Sequence, residues 1–203
     1  MIDKYVFTKS FSLPPVDRRE TLRYAGVREE APEISSLLDS CIAEAEAKLS
    51  CKVCYQHFEI NRLDGELDLG FAKTSSGSLM KTLDGCERIV VFCATVGAGM
   101  DRLIARYSIA SPSRSVILQA LGTERVEALC DVFCDELKRE QAELGFSITR
   151  RFSPGYSDLP LDLQREIFAT LSPQTKIGVS LNDSLLMTPS KSVTAIIGIK
   201  NVK

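Results

Sequence analysis

Arg88-Ile89-Val90-Val91-Phe92-Cys93-Ala94-Thr95-Val96-Gly97-Ala98-Gly99 decides the fold class. After Arg88 the run carries no charge and is rich in β-branched and aromatic residues. An apolar run of this length, closed by glycines, reads as a buried strand. Gly97-Ala98-Gly99 then turns the chain into a helix that carries Met100, Leu103, Ile104 and Tyr107 at helical spacing.

Toward the N-terminus, residues 52–60 are rich in β-formers and predict a strand. Leu67, Leu69 and Phe71 alternate, which predicts a second, shorter one. Residues 76–83 form a brief helix closed by Asp84-Gly85. Residues 16–24 read as a short helix stopped by Gly26, after an irregular stretch ending at Pro14-Pro15. A longer helix over 32–49 follows from the spacing of Ile34, Leu37, Leu38, Cys41, Ile42, Ala45 and Leu49. Toward the C-terminus, Ser111-Pro112 is a helix start, because serine caps free N–H groups and proline suits the first turn. That helix runs to near Gly145, and its apolar stripe shifts around Gly122, where a bend is expected. A Pro/Gly-punctuated loop over 148–159 precedes a helix over 160–171, then strands over 177–181 and 193–199.

Strands and helices do not alternate regularly. The class is therefore α+β, an antiparallel sheet with flanking helices. Residues 1–203 are expected to form a single domain, with a helical and stranded part over 1–110 and a second part over 111–203. Neither an internal repeat nor a low-complexity tract interrupts the sequence.

Hydrophobic residues make up 44% and charged residues 26%, as in an ordinary globular protein. The formal net charge is −2 with both signs interspersed, so a nucleic-acid surface is not expected. The stretch Met1-Ile2-Asp3-Lys4-Tyr5 lacks the apolar core of a signal peptide. No apolar run nears the roughly 20 residues needed to cross a bilayer. A cytoplasmic location without membrane contact is the expectation, with the seven cysteines reduced.

Cys51-Lys52-Val53-Cys54 has the spacing of half a zinc site, but no second such pair follows. Cys130 and Cys134 are one helical turn apart, and Cys130 shares a stripe with Val126, Leu129, Phe133 and Leu137, so core packing is the favoured role. His57, the only histidine, sits inside a strand with no evident partner. Gly97-Ala98-Gly99 echoes a dinucleotide loop, yet Arg102 stands where the third glycine belongs, and a tight strand-to-helix turn is favoured. Zinc is not expected.

The richest local signal is Arg150-Arg151-Phe152-Ser153-Pro154-Gly155-Tyr156-Ser157-Asp158-Leu159-Pro160. Two prolines stiffen the backbone and a glycine permits close approach. Arg151 can grip a carboxylate with two N–H groups, and Tyr156 can stack on a flat ring or a sulfonium. On composition alone, an ordinary rigid loop before a helix is the favoured reading.

This loop resembles the activation domain of cobalamin-dependent methionine synthase, in its short stand-alone form. The shared pattern is Arg-x-x-Pro-Gly-Tyr with a later proline, here Arg151, Pro154, Gly155, Tyr156 and Pro160. Ala120-Leu121-Gly122-Thr123-Glu124-Arg125-Val126-Glu127-Ala128 is similar to the family's helix with an acidic ligand contact, at Glu127. Leu181-Asn182-Asp183-Ser184, continuing through Met187 to Val193, is similar to its Leu-Thr-Glu-Ser segment. The three matches come in the family's order. Between Tyr156 and Pro160 this chain has Ser-Asp-Leu where full-length enzymes carry Pro-Ala-Cys.

The resemblance implies an S-adenosylmethionine site made by Glu127, Arg151, Ser153, Pro154, Gly155 and Tyr156, with no catalytic acid or base. In the family, reduction of inactive cob(II)alamin is coupled to methyl transfer from that donor, and the protein's task is positioning. The Asp-x-His-x-x-Gly pattern of cobalt-ligating modules is absent, so cobalamin is expected only on a partner. That partner is a corrinoid-carrying methionine synthase or related methyltransferase, served by a flavodoxin- or ferredoxin-type reductant. The chain is then an accessory component and not a complete catalyst. Two alternatives stand beside this: a non-catalytic sensor of S-adenosylmethionine or another anionic ligand, and a structural partner of a corrinoid protein.

Overall fold

The run that begins at Arg88 becomes the middle strand of a five-stranded sheet. The computed structural model describes residues 5–202; residues 1–4 of the N-terminal stretch read above lie outside the described residues. In chain order the elements are β1 (Phe7–Ser10), α1 (Arg18–Tyr24), α2 (Pro32–Glu46), β2 (Lys52–Glu59), β3 (Asn61–Leu63), β4 (Glu66–Asp68), β5 (Lys73–Thr74), α3 (Gly77–Thr82) and β6 (Arg88–Thr95). They continue as α4 (Ala98–Ala110), α5 (Pro112–Glu143), β7 (Phe146–Ile148), α6 (Leu163–Leu171), α7 (Pro173–Ile177), β8 (Ser180–Leu181), β9 (Met187–Thr188) and β10 (Ser192–Asn201).

The sheet order is β1-β2-β6-β10-β7, and every pairing is antiparallel. Around the centre, Cys54 pairs with Cys93 and Val91 with Ile196. Successive side chains of β6 enter different cores. Val90, Phe92 and Ala94 pack with α2, α4 and α5; Ile89, Val91 and Cys93 pack with α3, α6 and α7. Burial on both faces explains why the run lacks polar alternation. Each large apolar side chain removed from water there contributes about 1.5–3 kcal/mol. The α+β class with an antiparallel sheet and flanking helices is what the sequence predicted.

Several boundaries differ. The first helix starts at Arg18, where the Asp17 carboxylate accepts the Glu20 N–H at 3.0 Å and caps it. The second ends at Glu46 and not near Leu49, because Lys48 and Ser50 turn to meet the start of α4. The helix over 160–171 begins at Leu163. The strand read over 177–181 is only Ser180–Leu181; Ile177 closes α7, which Pro173 starts and Gly178, at φ +77°, stops. The edge strands β1 and β7 were not foreseen. Gly122 lies within the continuous span of α5, where a Cβ would come 2.8 Å from Met100 Cγ, so its glycine marks close packing against α4.

Candidate functional site

Beyond β7 the chain keeps to the edge of β10. The Thr149 N–H donates to the Gly198 carbonyl at 2.9 Å. Phe152 and Ile196 exchange both backbone hydrogen bonds, at 2.8 and 2.9 Å. Strand-like alternation then sends neighbouring side chains to opposite faces. Phe152 packs against the core under α3 and α6, while Arg151 turns to α5.

On α5, Thr123, Glu127 and Asp131 stand at four-residue intervals and share one face. Arg151 donates from Nη1 to Asp131 Oδ1 at 2.6 Å and from Nη2 to Glu127 Oε2. Burial opposes the Arg151 charge, and neighbouring Cys130 together with the Asp131 and Glu127 carboxylates overcomes that and holds its pKa above the ordinary range. Cys130 and Cys134 lie beside it, and burial pushes both thiols up, leaving them neutral at physiological pH.

The loop then tightens. The Tyr156 N–H donates to the Ser153 carbonyl at 3.2 Å, and the Gly155 N–H to the Leu159 carbonyl at 2.9 Å. Gly155 sits at φ +83°, a conformation that costs glycine little, and Ser157 at φ +53°. Pro154 is buried, whereas Tyr156 is 72% exposed and meets Phe152 edge to face, with ring centroids 6.2 Å apart. Asp158 fastens the far side of the loop. Its carboxylate accepts the Ser76 hydroxyl at 2.5 Å and the Ser78 N–H at 3.2 Å, which anchors it to the start of α3. The Ser76 bond first, then the N–H groups of α3, hold its pKa below the usual carboxylate value.

Between α5, the loop and the end of β10 lies an open cavity of about 770 Å³, within the size range of small-molecule sites. Four of the six residues expected from the sequence line it: Glu127, Arg151, Ser153 and Tyr156. Pro154 and Gly155 shape the turn behind the wall. Thr82, Thr149, Arg150, Phe152 and Lys200 complete the lining. The sequence reading did not single out Asp131 or Asp158, although Asp131 stands one helical turn beyond Glu127 on the same face. On the other side of Glu127, a second groove of about 590 Å³ is lined by Asp17, Glu20, Asp131 and Asp135 among others.

The remaining sequence signals resolve into packing. Cys51 lies in one core and Cys54 in the other, where Cys54 faces Cys93 across the sheet. Among the described residues no three His, Cys, Asp or Glu side chains gather as metal ligands. Gly97, at φ +86°, and Gly99 sit where residues 48–50 press on the turn. The segment similar to the family's tail folds beside α4 and α5. There Ser190 donates to Asp101 from backbone and hydroxyl at 2.7 and 2.6 Å, and Lys191 donates to Thr123 at 3.0 Å. Burial lowers the Lys191 pKa.

A family model described as "Vitamin B12 dependent methionine synthase, activation domain" matches residues 79–201. Among solved structures, the chain is similar to the crystal structure of the MetH reactivation domain bound to AdoHcy, at 15% identity and a TM-score of 0.71. The match covers 96% of this chain and 78% of that one. At that identity the likeness speaks for the fold. No curated protein matches the sequence.

Proposed function

The chain belongs to the family of vitamin B12 dependent methionine synthase activation domains, and from that premise we propose that its cleft binds S-adenosylmethionine and presents the methyl group to a corrinoid carried by another protein. Membership gives the chain a role in methionine synthase reactivation. The finer reading rests on one observation: a cation, a carboxylate and an exposed aromatic ring meet around one cavity at Arg151, Glu127 and Tyr156.

The ligand's chemistry fits that set. Its α-carboxylate suits the forked donors of Arg151. Its ammonium and sulfonium suit Glu127, and its purine or sulfonium suits the Tyr156 face. Backbone groups of residues 153–155 are held in a fixed turn and can meet the rest of the ligand. Corrinoid cobalt, when a partner supplies it, is the nucleophile toward the methyl group. The residues here therefore need only bind, orient and expose the donor, an effect of proximity and orientation. AdoHcy in the related MetH structure is the demethylated form of such a donor, which supports the choice of ligand class.

The protein acts in trans on this reading. It docks with the cleft mouth against the corrinoid, and briefly, since a permanent cap would exclude the normal substrates. Calorimetry of the purified protein with S-adenosylmethionine is expected to show one saturable site. A methionine synthase inactivated in the cob(II)alamin state, given an electron donor and S-adenosylmethionine, is expected to recover faster when this protein is added. Binding without faster recovery makes the chain a sensor; no binding removes the ligand from the reading.

A further inference from the structure

We propose that Asp131 is a built-in competitor for the ligand's carboxylate, a residue that sets which ligands the cleft accepts; this rests on reading the cleft as an S-adenosylmethionine site. Both terminal amino groups of Arg151 are engaged by side chains of the same helix, Nη1 by Asp131 and Nη2 by Glu127. The guanidinium has five N–H donors, but a carboxylate that grips it end-on, through both terminal nitrogens, meets two carboxylates already bound there and competes with them for its charge.

The two are not equivalent. The Glu127 side chain is 39% exposed and lines the cleft, where it faces the same ligand's positive groups. The Asp131 side chain is 69% exposed and lines only the neighbouring acidic groove. An ion pair that open to water is weakly held and yields first. Asp131 shares that groove with Asp17, Glu20 and Asp135, of which Glu20 is paired with Arg23. Every carboxylate ligand therefore binds against a standing competitor. Simple carboxylates have nothing to offset this, whereas a ligand with its own cation recovers the loss at Glu127.

The test is Asp131→Ala, titrated by calorimetry with S-adenosylmethionine and with its decarboxylated analogue, which lacks the carboxylate and keeps the sulfonium. The analogue isolates any loss of general attraction for cations. The preference for the carboxylate-bearing ligand over the analogue is expected to rise about two- to fivefold in the variant, the scale of an exposed ion pair. The rise should shrink at high salt, which screens such a pair. An unchanged or smaller preference, with S-adenosylmethionine still bound, overturns the competitor role and leaves the cleft reading intact. Failure of both the natural chain and the variant to bind S-adenosylmethionine overturns both.

Discussion

At Gly99 a methyl group on Cα would come 2.1 Å from the Lys48 carbonyl oxygen, far inside contact distance. Helix propensity alone favours Gly→Ala by about 1 kcal/mol. Here the neighbour is backbone and cannot swing aside, so α4 and the segment that follows α2 must separate. Overpacking of that kind costs about 1–3 kcal/mol. Gly99→Ala is therefore expected to destabilise the protein, seen as a lower urea midpoint; a higher midpoint would mean that the turn relaxes freely. Arg151 calls for a different measurement. Replacing it by Ala should weaken S-adenosylmethionine binding by about 1.5–3 kcal/mol, the range for a hydrogen bond between charged groups. An unchanged dissociation constant removes Arg151 from the site.

Among the elements, α5 organises the molecule. It lines the cleft with Glu127 and also holds the N-terminal segment. The Arg125 guanidinium donates to the carbonyls of Pro14 at 2.7 Å and Pro15 at 3.3 Å and pairs with Glu124. Glu124 in turn accepts the Asp17 N–H at 3.2 Å, at the cap of α1. Both side chains are almost wholly buried, 3% exposed for Arg125 and 6% for Glu124. Arg125→Ala leaves a buried carboxylate without its cation and is expected to cost about 3–5 kcal/mol. Adding Glu124→Ala should cost less than the sum of the single changes, since the stranded charge goes too. Additive losses in urea unfolding would show that the two act independently.

The elements also show what the sequence made legible. The long elements were readable: β6 as an unbroken apolar run buried on both faces, β2 as a run of β-formers, and α5 by its helical stripe. The short elements were not. β1 and β7 are edge strands of a few residues, stabilised by pairing with β2 and β10 more than by a pattern of their own. Ile177 and Val179 suggested a strand, and the helix signals around them, Pro173 and Gly178, were passed over. The loop of residues 150–160 was legible through its prolines, its glycine and the family pattern. Asp158 was not, because its partners Ser76 and Ser78 lie some 80 positions away and only the fold brings them together.

For the molecule as a whole, the sheet interleaves distant parts of the chain: β1, β2 and β6 come from before residue 111, and β7 and β10 from after it. The cleft draws on Thr82 and on Lys200, so it exists only once that sheet is complete. Global stability therefore bears directly on the site, and His57 gives it a pH dependence. The imidazole lies on β2 edge-on to the stacked Phe7 and Tyr55 rings, at centroid distances of 6.4 and 5.9 Å. Burial first, and then the Arg88 charge, lowers its pKa in the folded state. In the unfolded chain it titrates near its ordinary value of about 6.5. Between the two values the unfolded state binds the extra proton, so stability rises with pH there. The contribution is complete above pH ~6.5, falls as pH drops through that value, and stops changing below the folded pKa. His57 is the only histidine, so no second one contributes in this window. Urea unfolding at pH 5.5 and 7.5 should show the natural chain less stable at the lower pH, and His57→Gln should narrow that difference. If the difference is as wide in the variant, groups other than His57 set the pH dependence of the fold and of the cleft it builds.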